Sequence, residues 1–579
     1  MSTKETTKSE ARLWDYLGQN KAPLSGALSL KALATVFELL IPWLLAYLID
    51  EAAPTGDYLL IFGCGGAMLF VSALCFIFNV VSNRLSARVS KNATFALRRD
   101  LFRKTCYLSR KQIDGFTAPS LVTRLTSNTY DVNRMLTFIQ RIGVRGPLLF
   151  FGGIAVTLTL DPVLTLTMAA SLPPIVLLIW FVSKRGVRLY SKTYQSADKM
   201  VRTVRENAAG IRVIKAFSKA EDEKAKFEAV NNEVSNRERA ASAVMAVTTP
   251  SMNLIFNLGM IAVIAVGAFR VNSGLTQTGK IIAFMTYFTM ILQALIAITR
   301  VFVIYSRSSA SSKRIFAVIN APADLVLFPP DKVETDNHIV FENAGFSYLG
   351  RAKNLDGVSF SLKRGETLGI IGDIGSGKST VINLLMRFYD ADSGQIRING
   401  EDVRGIDFDR LYNMFGIVFQ NDALFADTVT NNIDFFKGAD AEQVEAAAAD
   451  AQASTFIEAF EDAYEHKIAL RGNDLSGGQK QRVLLARAFS KNADILILDD
   501  AASALDYKTE AALRRAMKNR YASATKIIIA QRVSSIRHAD KILMMSGGKV
   551  VGEGSHGELI KTCPSYAEIY KLQTEGAAV

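Results

Sequence analysis

Six apolar stretches in the first half of the chain constrain its fold more than any other feature. They cover residues 28–49, 58–81, 142–160, 163–182, 244–269 and 281–303. Each is long enough to cross a hydrocarbon layer of about 30 Å. No water reaches the peptide groups inside such a layer, so a spanning segment bonds its own backbone, as a helix does. The 49% apolar content is unusual beside 21% charged residues, and the spans are where the apolar residues concentrate.

The connections between spans alternate in character. Residues 51–57, 161–162 and 271–279 are short and poor in lysine and arginine, whereas 84–141 and 184–239 are long, with about a dozen basic residues each. Basic residues mark the cytoplasmic side, which puts the long connections and both termini there. The net charge of +12 clusters beside apolar spans, as at a cytoplasmic membrane face, and no nucleic-acid partner is expected. Both long connections keep helical apolar spacing, with a turn near the middle, at Asp114-Gly115 with Pro119 and at 208–210. The simplest geometry extends the membrane helices into the cytoplasm and reverses them at short tips, as levers toward a cytoplasmic domain. Residues 1–10 are polar, lack a signal-peptide pattern and are expected to form a disordered tail. Residues 11–20, with Trp14 and Tyr16, have the pattern of an amphipathic helix at the interface. Cys64, Cys75, Cys106 and Cys563 lack metal-ligand spacing and read as small core residues in a reducing compartment.

Polar residues within the spans are few: Glu38, Asn79, Asn253, Asn257 and Gln293. A carboxylate at membrane depth is costly and normally faces a partner or an aqueous cavity. Glu38 is therefore a candidate contact for a cationic substrate, with a helix–helix hydrogen bond as the plainer alternative. Pro42, Pro147, Pro173, Pro174 and Pro250 are expected kink points.

The reading divides the chain into an all-α transmembrane domain at 11–305, a linker at 306–337 and an α/β domain at 338–579. In the last, apolar β-branched runs at 339–341, 367–371, 396–398, 416–419, 495–498, 526–529 and 541–545 alternate with helical stretches. That is the pattern of a largely parallel sheet flanked by helices. One run leads into Gly372-Asp373-Ile374-Gly375-Ser376-Gly377-Lys378-Ser379, with Thr380 opening a helical pattern behind it. This is a P-loop in its required strand–loop–helix setting. Its glycines turn N–H groups toward phosphate oxygens, and the helix points its positive end at the same charge. Lys378 would reach the β- and γ-phosphates of ATP, and the Ser379 hydroxyl would ligate Mg²⁺. Asp499 closes an apolar strand about 120 residues downstream, where it can hold the same Mg²⁺. Leu475-Ser476-Gly477-Gly478-Gln479 opens another helix and offers a second anion-binding surface, which makes sense if two such domains sandwich a nucleotide.

On these residues the chain resembles an ABC transporter half of the exporter type, six membrane helices fused to one nucleotide-binding domain, over nearly its whole length. Residues 475–479 match the ABC signature, Tyr348 the aromatic that stacks on adenine, Gln420 the Q-loop glutamine near Mg²⁺, and 503–506, ending in Asp506, the D-loop. Residues 210–217 resemble the exporter segment beside the second coupling helix. The resemblance implies a dimer in which each ATP is held by one subunit's P-loop and the other's signature.

Three positions depart from the family pattern. The general base after the Mg²⁺ aspartate is usually Glu and is Asp500 here. Its carboxylate is withdrawn by roughly 1 Å, a misplacement that can cost about a hundredfold. The switch histidine is replaced by Gln531, which can hydrogen-bond a γ-phosphate but cannot change charge; His538 does not align with that role. Leu470 stands where the exporter pattern commonly has Glu. Together these lead to one expectation: a degenerate ATP site, in a chain that pairs with a different half carrying the catalytic Glu to move a small or amphipathic substrate across the cytoplasmic membrane. A homodimer with slow turnover, an exporter-shaped uptake system for metal chelates, and a regulatory subunit that only binds ATP are the alternatives.

Overall fold

The computed structural model describes residues 12–575 except 349, 351, 436 and 437. The expectation for residues 1–10 lies outside that range. The chain divides into two compact units: residues up to Tyr107 with Thr117–Ala321, and Leu108–Phe116 with Pro322 onward.

Among the described residues of the first unit, six helices are long and apolar enough to cross a membrane. Helix Tyr58–Cys106 runs 49 residues without a break. At about 1.5 Å per residue it is roughly 74 Å long, over twice the hydrocarbon thickness, so part of it must leave the bilayer. Phe62, Leu69, Phe70 and Phe76 on this helix are exposed in the isolated chain, a surface suited to lipid. Helices Leu172–Ala209 and Ala220–Ala246 flank the turn expected at 208–210, with the short helix Ile211–Ala216 between them. Small residues let the helices close up: a Cβ on Gly153 would stand 2.9 Å from the Ile291 side chain. The leading amphipathic helix is short, Leu13–Gly18. It buries Tyr16, which donates to Asp100 Oδ2 at 3.2 Å, and exposes Trp14.

The prolines divide into two groups. Pro42 and Pro147 lie inside helices Lys21–Tyr47 and Thr129–Leu160. Pro173 and Pro174 instead begin a helix, because the fourth span is two pieces, Pro162–Ala170 and Leu172–Ala209. Pro250 likewise sits in the first turn of Thr248–Asn272. Their spans continue through these positions with a one-residue interruption at Ser171 and at Val247, and in the first turn after it the missing N–H has no intrahelical partner to lose.

Glu38 has a partner within its own chain. Arg145 donates to it from Nε at 3.0 Å and from Nη2 at 2.5 Å. Nearby, buried Lys31 donates to Asn79 Oδ1 at 2.6 Å and Asn83 Oδ1 at 3.4 Å. Glu38 and Asn79 therefore bind helix to helix in this structure.

The second unit is built on a six-stranded sheet. Its strands are β3 (Thr367–Gly372), β6 (Phe415–Val418), β7 (Ile495–Asp499), β8 (Thr525–Ile529), β9 (Lys541–Ser546) and β10 (Lys549–Gly554), in the order β10-β9-β3-β8-β7-β6. All neighbours pair in parallel except β10 with β9. A smaller antiparallel sheet of β1 (Asn337–Phe346), β2 (Leu355–Lys363), β4 (Ser393–Ile398) and β5 (Glu401–Asp402) packs beside it, a layer the sequence did not announce. The short tip helix Arg110–Phe116 belongs to this unit. Gln112 donates to Pro322 O at 2.6 Å, and Tyr389 donates to Asp114 Oδ2 at 2.6 Å.

Register sets the site. Ile370 of β3 and Asp499 of β7 both stand opposite Ile529 of β8. Parallel strands in this register release their chains at one edge of the sheet, where ligands of open α/β sheets bind.

Candidate functional site

Three chain segments leave that edge together: the P-loop after β3, Asp499-Asp500 at the end of β7, and Gln531 after β8. In the P-loop, Gly377 has φ 98° and its Cβ would fall 2.6 Å from Asn354 O, so backbone conformation and space both demand glycine. The helix Lys378–Leu385 starts directly behind it, aiming its unpaired N–H groups at the loop. Lys378 Nζ donates to Gly372 O at 2.8 Å and Asp373 O at 2.7 Å. Burial pulls its pKa below the usual lysine value, against the raising influence of Asp373, Asp499 and Asp500.

Ser379 Oγ donates to Asp499 Oδ2 at 3.0 Å. Asp499 is buried, and burial raises its carboxyl pKa, against the Ser379 bond and Lys378. Two hard oxygen donors at this spacing fit neighbouring positions around Mg²⁺, whose ligands stand about 2.1 Å from the ion. The donor chemistry and the spacing therefore suit the cation.

Asp500 follows in the left-handed region, at φ 55°. Its Oδ2 accepts from Gln531 Nε2 at 3.1 Å. Burial again raises the carboxyl pKa, opposed by Arg532, the Gln531 bond and Lys378. Lys378, Ser379, Gln420, Asp499, Asp500 and Gln531 line one cavity of about 580 Å³.

Tyr348 lies outside that lining but beside the P-loop helix. Its hydroxyl accepts from Asn383 Nδ2 at 2.9 Å and donates to Thr380 Oγ1 at 3.4 Å. Phe346 and Tyr389 meet its ring edge-on, at 4.8 and 5.1 Å between centroids. Ser476–Gln479 and Asp506 are also absent from the lining. Ser476 caps the helix Gly477–Ser490 in a reciprocal box with Gln479, at 2.9 and 3.3 Å. Asp506 caps Tyr507–Asn519, accepting from Thr509 N at 2.9 Å. Leu470 is exposed. Sequence reasoning missed Gln481, which donates to Asp500 O and accepts from Ala504 N, both at 3.1 Å. It ties the helix Gly477–Ser490 to the chain at Asp500 and Ala504, and nothing in the local sequence signals it.

Six membrane-length helices fused to a P-loop ATPase unit define the class of protein: a membrane transporter half driven by ATP. Comparison with known proteins agrees. The profile of the family described as ABC transporter transmembrane region matches residues 24–295, and that described as ABC transporter matches 355–503. An uncharacterized ABC transporter ATP-binding protein of Mycobacterium tuberculosis is 31% identical over 564 residues, covering 95% of this chain and 96% of its own. The ATP-dependent lipid A-core flippase of Vibrio vulnificus is 30% identical over 586 residues, 99% of each chain. The solved structure of a bacterial Atm1-family ABC exporter with ATP bound superposes with a TM-score of 0.82 at 25% identity, over 96% of this chain and 98% of that one. The chain belongs to the ABC transporter family, as an exporter-type half-transporter with a multi-pass membrane domain and an ATP-hydrolysing domain that powers transport.

Proposed function

We propose that this half-transporter holds ATP at its own P-loop but hydrolyses it slowly, while its Ser476–Gln479 segment completes the site of a different half bearing the catalytic Glu. The observation that carries the reading is the 3.1 Å contact between Asp500 and Gln531. The two departures from the family pattern touch, the Gln531 amide donating to the Asp500 carboxylate at the wall of the cavity. An Asp in place of Glu is a weak base held short of its target.

In this reading Tyr348 stacks on adenine, and the loop N–H groups of residues 372–379 cradle the phosphates. The Lys378 ammonium exchanges the Gly372 and Asp373 carbonyls for phosphate oxygens. Ser379 and Asp499 hold Mg²⁺, with Gln420 close by, and Gln531 bonds the γ-phosphate. The cation, once bound, neutralises phosphate charge. ATP closes the dimer of nucleotide-binding domains on the cytoplasmic side, the helical levers turn the membrane helices outward, and hydrolysis at the partner's site resets them. The substrate is a small or amphipathic molecule, a reading supported by the likeness to a lipid flippase. Glu38, held by Arg145, is a weaker candidate for a substrate contact than its position alone suggests.

The test is phosphate release by the full-length chain in lipid nanodiscs, alone and after assembly with a half-transporter that carries the Glu. Slow turnover alone with intact ATP binding, and fast turnover plus outward flux in the pair, is the expected result. Robust turnover by the chain alone means a competent homodimer and sinks the proposal. Inward flux marks an uptake system, and flux independent of the partner's hydrolysis marks a regulatory subunit.

A further inference from the structure

Gln531 has to be held at the cavity wall, yet its own segment provides little to hold it. The helix behind it, Val533–Ile536, is one turn long, and Arg532 at its N-cap makes no side-chain cap. The Val533 N–H is one of the orphan donors of a helix start. A residue 40 positions later takes it up: Gln573 Oε1 accepts from Val533 N at 2.8 Å. The same side-chain amide donates from Nε2 to Gln531 O, also at 2.8 Å. One planar amide thus grips the backbone on both sides of Arg532, while the side chain of Gln531 reaches forward to Asp500.

The gripping residue is itself fixed. Gln573 lies near the end of the C-terminal helix Pro564–Glu575. Tyr566 of that helix is fully buried, with its hydroxyl 2.7 Å from His556 Nδ1. Ile569 packs against the same apolar cluster as Val533 and Ile536, and it also lines the nucleotide cavity. The helix therefore rests on the core and touches the site at two points, Ile569 and, through Gln573, the switch segment. Only an amide side chain supplies both bonds, since a carboxylate accepts but cannot donate and an alanine does neither.

We infer that Gln573 is a positioning residue for Gln531, and that through it the C-terminal helix sets how the site tells a nucleoside triphosphate from a diphosphate. The inference rests on the reading of Gln531 as the group that meets the γ-phosphate. The adenine, the α- and β-phosphates and the P-loop do not depend on this grip, so the diphosphate is bound without it.

The experiment measures equilibrium affinities of the non-hydrolysable triphosphate AMP-PNP and of ADP, both with Mg²⁺, for the full-length chain in lipid nanodiscs. Gln573→Ala weakens AMP-PNP about five- to tenfold, as expected for two lost hydrogen bonds, and leaves ADP within about twofold. Gln573→Glu falls between wild type and alanine. In a Gln531→Ala background Gln573→Ala adds no further loss, because the two act as one unit. Equal losses for both nucleotides mean that Gln573 only supports the fold, and they overturn the inference. So does an unchanged AMP-PNP affinity in Gln573→Ala while Gln531→Ala loses it. If Gln531→Ala itself leaves AMP-PNP unchanged, the reading of the switch has failed, and the inference falls with it by a separately visible route.

Discussion

Replacing Asp500 by Glu tests whether carboxylate reach limits this ATP site. Glu adds one methylene, which advances the carboxylate by roughly 1 Å, a distance on which about a hundredfold in rate can depend. Two costs oppose the gain. Position 500 has φ 55°, where Asp is better tolerated than Glu, and this strain is worth at most about 1–2 kcal/mol. The Gln531 bond at 3.1 Å is also disturbed, worth about 1 kcal/mol. Both fall mainly on stability and not on the chemical step, so turnover rises about 10- to 100-fold while the unfolding midpoint drops slightly. Asp500→Glu with Gln531→His relieves the crowding and rises further. The assay is phosphate release at saturating MgATP by the full-length chain in nanodiscs, with Lys378→Ala as the inactive control. The reasoning is refuted if Asp500→Glu binds ATP normally and turns it over no faster than wild type.

Three further outcomes follow from the same geometry. Glu38→Gln leaves Arg145 without its counter-charge and destabilises the membrane unit by about 1–3 kcal/mol, below the range for fully buried pairs because both side chains are partly exposed. Exchange of the pair, Glu38→Arg with Arg145→Glu, recovers part of the thermal midpoint, and a substrate-contact role predicts no such recovery. Gly372→Ala places a Cβ 1.9 Å from Met545 O and abolishes nucleotide binding in an equilibrium titration. His338, bonded to Thr525 Oγ1 at 2.6 Å, has its pKa pulled down to about 4 by burial, with a smaller push from Arg364. Its folded value lies below the ordinary 6.5, so the unfolded state takes up the proton as pH falls between the two. Stability of the second unit is therefore lost over that window, by up to about 1.4 kcal/mol per pH unit, and His338→Gln flattens the denaturation midpoint against pH.

What could be read in the sequence was what a local run of residues determines. The strands β3, β7, β8 and β9 are continuous apolar runs because neighbours cover them on both faces, so each announces itself. β2 mixes buried and exposed positions and is interrupted by Gly357, which blurs its pattern and hides the antiparallel layer, and β10 buries none of its residues. The P-loop was legible because its glycines obey a backbone rule that needs no other residue. Gln481 and Gln573 were invisible. An amide has no charge, periodicity or motif, and its role comes from what the fold brings within 3 Å of it.

The same limit bears on the two departures that define this site. In sequence, Asp500 and Gln531 are separate events 31 residues apart, and each alone admits a slow but ordinary catalyst. In space they share one bond. A longer acid at 500 would extend toward the Gln531 amide, and a histidine at 531 would present a chargeable ring to a carboxylate already shifted upward by burial. Restoring either residue alone therefore leaves its neighbour shaped for the other state. Residues in contact do not add, so the gain from the double restoration should exceed the product of the single gains, by a coupling of about 0.5–3 kcal/mol. Strict multiplicativity in phosphate release would mean that the two positions changed independently. The contact would then be an accident of proximity, and not the basis of the proposed slow turnover.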